Sequence, residues 1–121
     1  MVTTIRVVGT SASRSRTIVA VTGGRTTQAV TKGLPHVSRL NPDHAFLFGT
    51  HHDVRVIVVD ADRYGSALAR DLHRVFPAAT VVAISQHADR RSMLRRTGIV
   101  TVPAAAPPAQ IASLIARLVR S

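Results

Sequence analysis

A parallel sheet of five strands with helices on both faces, a three-layer α/β/α domain, is the fold class that this sequence predicts. Two runs, Val54 to Val59 and Thr80 to Ser85, are almost continuously β-branched or apolar, the pattern of strands buried on both faces. Each is followed by a helical segment, and a third strand and helix continue the alternation, which implies right-handed crossovers and a parallel sheet. The composition agrees: 121 residues, 45% hydrophobic and 18% charged, suit one folded domain over residues 1–121.

The elements follow in order. Thr4-Ile5-Arg6-Val7-Val8 reads as a first strand. Ser11 to Val21 reads as a helix, although Thr17 to Val21 has strand propensity. Gly23-Gly24 breaks the segment, and Thr26 to Thr31 reads as a short second strand. His36 to His51 is helical in character, interrupted at Pro42, with Asn41 or Asp43 as cap. The simplest completion is two βα units before residue 54. Val54 to Val59 is then the third strand and ends at Asp60. Between Tyr64 and Phe76, the residues Leu68, Leu72, Val75 and Phe76 make one apolar stripe, and Pro77 ends the helix. Thr80 to Ser85 is the fourth strand. Asp89 to Arg96 is a short fourth helix with Asp89 near its N-cap and Gly98 beyond its end. Ile99 to Val102 is the fifth strand. Pro107 and Pro108 open a last helix whose stripe is Ile111, Leu114, Ile115 and Leu118.

Composition excludes several function classes. With no cysteine there is no disulfide, thiol nucleophile or thiolate-held metal. No apolar run is long enough for a membrane span, and the N-terminus carries no apolar signal core, so a cytoplasmic protein without membrane contact is expected. The formal net charge is +10, from one lysine, fifteen arginines and six aspartates, with no glutamate. A GC-rich coding sequence accounts for arginine over lysine but less well for the missing glutamate. The charge therefore leaves room for an anionic partner: nucleic acid, phosphate or an acidic protein face.

The segment Val56 to Arg120, which reads VIVVDADRYG…ALARDL…VVAIS…APPAQI, resembles the second half of a response-regulator receiver domain, in particular those of actinobacterial regulators. The resemblance implies a flavodoxin-like (CheY-like) fold with the doubly wound sheet just described. It implies that Asp60 stands at the phosphoacceptor position and Ser85 at that of the switch hydroxyl. The other parts of the family's machinery have no match. The residues after the expected first strand, Gly9-Thr10-Ser11-Ala12-Ser13, contain none of the acidic pair that holds Mg²⁺. Ala104 stands where the family has a lysine, and Thr101 or a neighbouring aliphatic residue replaces the switch aromatic. Phosphoryl transfer depends almost wholly on positioning and countercharge, so the resemblance implies an atypical, or pseudo-, receiver.

Other residue groups have bland and functional readings. Asp60 and Asp62 at a strand end suit paired acid–base or metal chemistry, but also a turn in which aspartates cap amides. His51-His52-Asp53 has ligand-type residues in an order that does not converge on one face. Gly23-Gly24-Arg25 is too short a signal for a phosphate loop. Thr10, Ser11 and Ser13, with Arg14 and Arg16 nearby, form a candidate anion pocket against the alternative of a simple capped loop. Arg90, Arg91, Arg95 and Arg96 on the fourth helix are a candidate interface, against the alternative of solvated surface.

The function expected is a non-enzymatic signalling or scaffolding module without cofactor or metal, acting by protein–protein contact, with homodimer formation included. Three alternatives stand beside it: a phospho-accepting receiver using Asp60, the receiver-like N-terminal part of a larger localisation ATPase, and a basic nucleic-acid-binding module. No aromatics are interleaved with the arginines of the fourth helix, which weakens single-strand binding.

Overall fold

The computed structural model describes residues 17–21, 25–34, 37–51 and 53–120. Five strands form one parallel sheet: β1 (Thr17–Val21), β2 (Val37–Leu40), β3 (Val54–Asp60), β4 (Thr80–Ser85) and β5 (Val100–Pro103). The helices between and after them are α1 (Arg25–Lys32), α2 (Pro42–His51), α3 (Ala61–Tyr64), α4 (Ser66–Val75), α5 (Ala88–Arg95) and α6 (Pro108–Arg120). The spatial order is β2-β1-β3-β4-β5, the winding of a flavodoxin-like sheet, which reverses between β1 and β3.

Alternation along the strands builds two cores. Val19, Val21, Ile57, Val59, Val81 and Ala83 face one side, where Ala45, Ala69, Leu72 and Leu94 of α2, α4 and α5 cover them. Ile18, Val56, Val58, Val82, Ile84 and Val102 face the other side, under Val30, Ile111 and Ile115 of α1 and α6. A strand that buries both faces needs apolar residues at every position, which is why Val56 to Val59 is an unbroken run. Burying each such side chain contributes roughly 1.5–3 kcal/mol before ordering costs.

The second half matches the sequence reading closely, with one refinement. The helix expected after Asp60 is split by Gly65, whose φ of 86° and ψ of 164° suit glycine alone. Its N–H donates to the carbonyl of Ala61 at 2.8 Å and closes α3 before α4 begins.

The first half required three corrections. Thr17 to Val21 is a central strand and not the end of a helix, and it pairs with both β2 and β3. Thr26 to Thr31 lies within helix α1 and is not a strand. Its β-branched residues suggested extension, but Thr27, Val30 and Thr31 fall on one helical face and are buried together. The Thr31 hydroxyl donates to the Thr27 carbonyl at 2.8 Å, which satisfies that polar atom within the helix. His36 to His51 divides into β2 and α2, with Asn41 between them. Asn41 Oδ1 accepts the N–H of His44 at 2.8 Å, as the sequence reading expected of a cap there. Two βα units precede residue 54, as anticipated, but they are built from different residues. The expected strand Thr4 to Val8 lies outside the described residues.

Candidate functional site

The carboxyl ends of parallel strands carry exposed loops where side chains from several strands meet. Here the ends of β3 and β4 meet beside the start of α5. Asp60, the last residue of β3, is the N-cap of α3: its Oδ1 accepts the N–H groups of Asp62 at 3.0 Å and Arg63 at 3.2 Å. That cap turns the chain so that Asp62, two residues on, projects across to the end of β4.

Asp62 is the centre of the site. Its Oδ1 accepts the Ser85 hydroxyl at 2.6 Å and a guanidinium N–H of Arg90 at 2.9 Å, and its Oδ2 accepts the backbone N–H of Gln86 at 2.7 Å. Arg90 also donates to the carbonyl of Ala61 at 3.0 Å, so one guanidinium ties α5 to both backbone and side chain of α3. The imidazole of His87 stands 3.9 Å from the same carboxylate. Partial burial pushes the Asp62 carboxyl up. The Ser85 and Gln86 donors, with the charges of His87 and Arg90, outweigh that and hold it below the ordinary carboxylate range.

Ser85 is fully buried and both donates and accepts: its Oγ also takes the N–H of His87 at 3.0 Å. Its carbonyl accepts from Arg91 at 2.8 Å and from the N–H of Ala104 at 3.1 Å. The strand end is thus held by α3, α5 and the segment after β5 at once. Charge-assisted hydrogen bonds of this length are among the stronger ones in proteins.

The structure separates residues that the sequence grouped. Asp60 and Asp62 do not face one another as an acid–base pair; one caps a helix and the other holds β4. Of the four candidate interface arginines, Arg90 and Arg91 are half-buried and turned inward, whereas Arg95 and Arg96 are exposed. Helix α5 begins at Ala88 with His87 as its N-cap, so Asp89 lies in its first turn. Thr10, Ser11 and Ser13 lie outside the described residues. Among the described residues no three ligand-type side chains come together to hold a metal ion. Sequence reasoning noticed Asp62 but not its partners Gln86 and Arg90. The one signal for them was a strand-terminal serine followed by a polar stretch with an arginine on the next helix.

Grooves also lie on other surfaces formed by the described residues. One lies between β5 and α6 and is lined by Val102, Pro103, Ala106, Ile111, Leu114 and Arg117, with a volume of about 160 Å³. Another, of about 450 Å³, lies against α1 and β2 at the opposite end of the sheet. No described helix is long and apolar enough to cross a membrane.

This architecture has a counterpart among solved structures. The crystal structure of a response regulator from Thermotoga maritima matches 87% of this chain and 98% of its own, with a TM-score of 0.67 and 20% sequence identity. No family model and no curated protein matches the sequence. The chain has the fold of a response-regulator receiver domain, as its strand order and its second half indicated.

Proposed function

We propose that this receiver-like chain is a non-enzymatic signalling module that works without phosphoryl transfer, by contact with proteins, including a second copy of itself. The observation that carries the reading is the engagement of Ser85 by Asp62. In the receiver pattern, the hydroxyl at this place is kept for a phosphoryl group on the neighbouring aspartate. Here its proton already goes to a carboxylate at 2.6 Å, and Gln86 and Arg90 serve the same carboxylate. A phosphoryl group on Asp60 would have to displace an anion already matched to three donors.

Two sequence features support the same reading. The residues after β1, Thr22, Gly23 and Gly24, carry no carboxylate to hold Mg²⁺. Ala104, where a lysine would supply countercharge, offers only its N–H, and that is given to Ser85. The contact surface proposed is formed by α5, β5 and α6. Its groove presents Val102, Ala106 and Leu114 with Arg117 in the lining, and α5 adds the exposed Arg95 and Arg96, a combination suited to a partner with an apolar anchor and an acidic rim.

The test is the intact mass of the chain after incubation with acetyl phosphate and Mg²⁺. We expect no adduct. An adduct of about 80 Da that disappears in Asp60→Ala would overturn the reading and make the chain a working phospho-receiver. For the contact surface, sedimentation of the chain beside Leu114→Asp is decisive for self-association. A dimer that becomes monomeric in the variant supports it, and a monomer at every concentration moves the reading to a partner of different sequence.

A further inference from the structure

We propose that the groove between α1 and the edge strand β2 holds the phosphate backbone of double-stranded DNA. Its lining is Arg25, Gln28, Ala29, Lys32 and Arg39. All five are exposed, and among the described residues no aspartate lines the groove. Positions 25, 28, 29 and 32 have the spacing i, i+3, i+4, i+7, so they form one helical face opposite the buried Thr27, Val30 and Thr31. Arg25 and Lys32 are two turns apart, about 10 Å along the axis. Arg39 joins them from β2, where it is the exposed residue of its strand.

The lining decides what kind of anion fits. A small free anion would meet only solvent-exposed cations in an open groove, each worth little in water and salt. A partner that bridges all three cations at once adds their contributions through release of its counterions. An acidic protein face would need an apolar anchor at the centre of its contact, and the groove offers only the methyl group of Ala29. Among the described residues no aromatic side chain lines it, so unstacked bases of a single strand find no platform there. Double-stranded RNA is read largely through its 2′-hydroxyls, and the amide of Gln28 is the one side-chain acceptor in the lining. A DNA duplex held by its phosphates needs only what is there: three cations and one amide.

The distribution of charge over the rest of the molecule favours this groove over α5. On α5, Arg90 and Arg91 are spent on Asp62 and Ser85, and Asp89 offsets part of what remains. At the groove all the lining charge among the described residues is positive.

The test is fluorescence anisotropy of a labelled 20-base-pair DNA duplex of arbitrary sequence with the full chain, at 50 to 200 mM salt. The variant Arg25→Ala/Lys32→Ala/Arg39→Ala is set beside an equally charged control, Arg63→Ala/Arg70→Ala/Arg95→Ala, with circular dichroism of both to establish folding. We expect the groove variant to bind at least tenfold more weakly than the control. Its dependence of log affinity on log salt should be shallower than that of the parent by roughly 2.7, three phosphate contacts' worth. Equal losses in the two variants would reduce the effect to diffuse net charge and overturn the proposal. So would the absence of binding at 50 mM salt, tighter binding to duplex RNA, or displacement of the duplex by polyglutamate at matched charge. Because this groove shares no residue with the Asp62 site or the α5–α6 surface, its failure leaves the signalling reading standing, and the reverse also holds.

Discussion

Asp62 stabilises through what it accepts: the hydroxyl of the last residue of β4, the backbone N–H of the next residue and one guanidinium from α5. Removing the carboxylate strands a buried Ser85 hydroxyl and leaves Arg90 with only a carbonyl. Asp62→Ala is therefore expected to lower the unfolding free energy by about 2 kcal/mol at neutral pH, measured by urea denaturation. The pH dependence has a definite sign. Because the carboxyl is held below its ordinary value of 3.8 in the folded chain, its contribution is complete above that value and is lost as pH falls through the lower folded one. The gap between parent and variant should thus narrow in strong acid; a gap that stayed constant down to about pH 2 would show that the charge of Asp62 is not what stabilises. None of this was visible along the chain. An aspartate two residues past a strand looks like any turn residue, and its partners lie more than twenty positions away. Asp60 and Ser85 could be placed at strand ends because the apolar runs before them are so marked. Their roles, cap and donor, are set by neighbours that only folding supplies.

At the scale of elements, legibility followed burial. β3 and β4 bury both faces, so their β-branched runs could be nothing else. Helix α1 was misread because RTTQAVTK is rich in β-branched residues, and the burial of one helical face against the sheet overrides that propensity. Conversely, the residues of β1 could belong to either state until β2 and β3 were found on its two sides. The break between α3 and α4 rests on a single backbone conformation. A Cβ on Gly65 would meet nothing within 4 Å, so Gly65→Ala isolates the backbone term. It is expected to cost about 1–3 kcal/mol in thermal or urea unfolding. A neutral result would mean that the α3–α4 break relaxes freely.

At the scale of the whole molecule, the described residues form two cores divided by one sheet. Leu72 is fully buried in one and Ile115 in the other. Leu72→Ala should cost about 3 kcal/mol and Ile115→Val about 1 kcal/mol, from lost burial and the cavity left behind. Since a layer of strands separates the sites, the double variant should equal the sum within about 0.5 kcal/mol in a denaturation cycle. A larger coupling would mean that the sheet transmits packing strain from face to face.

The strand order also sets a timetable. β1 is an interior strand beside β3, but some thirty residues of α1, β2 and α2 come between the two in sequence. During synthesis β1 can pair with β2 yet has its second edge bare until Asp60 has left the ribosome. β3, β4 and β5, by contrast, are neighbours in sequence as well as in space. Of the described elements, those made later are therefore the ones able to close at once, and their arrival completes the ones that waited.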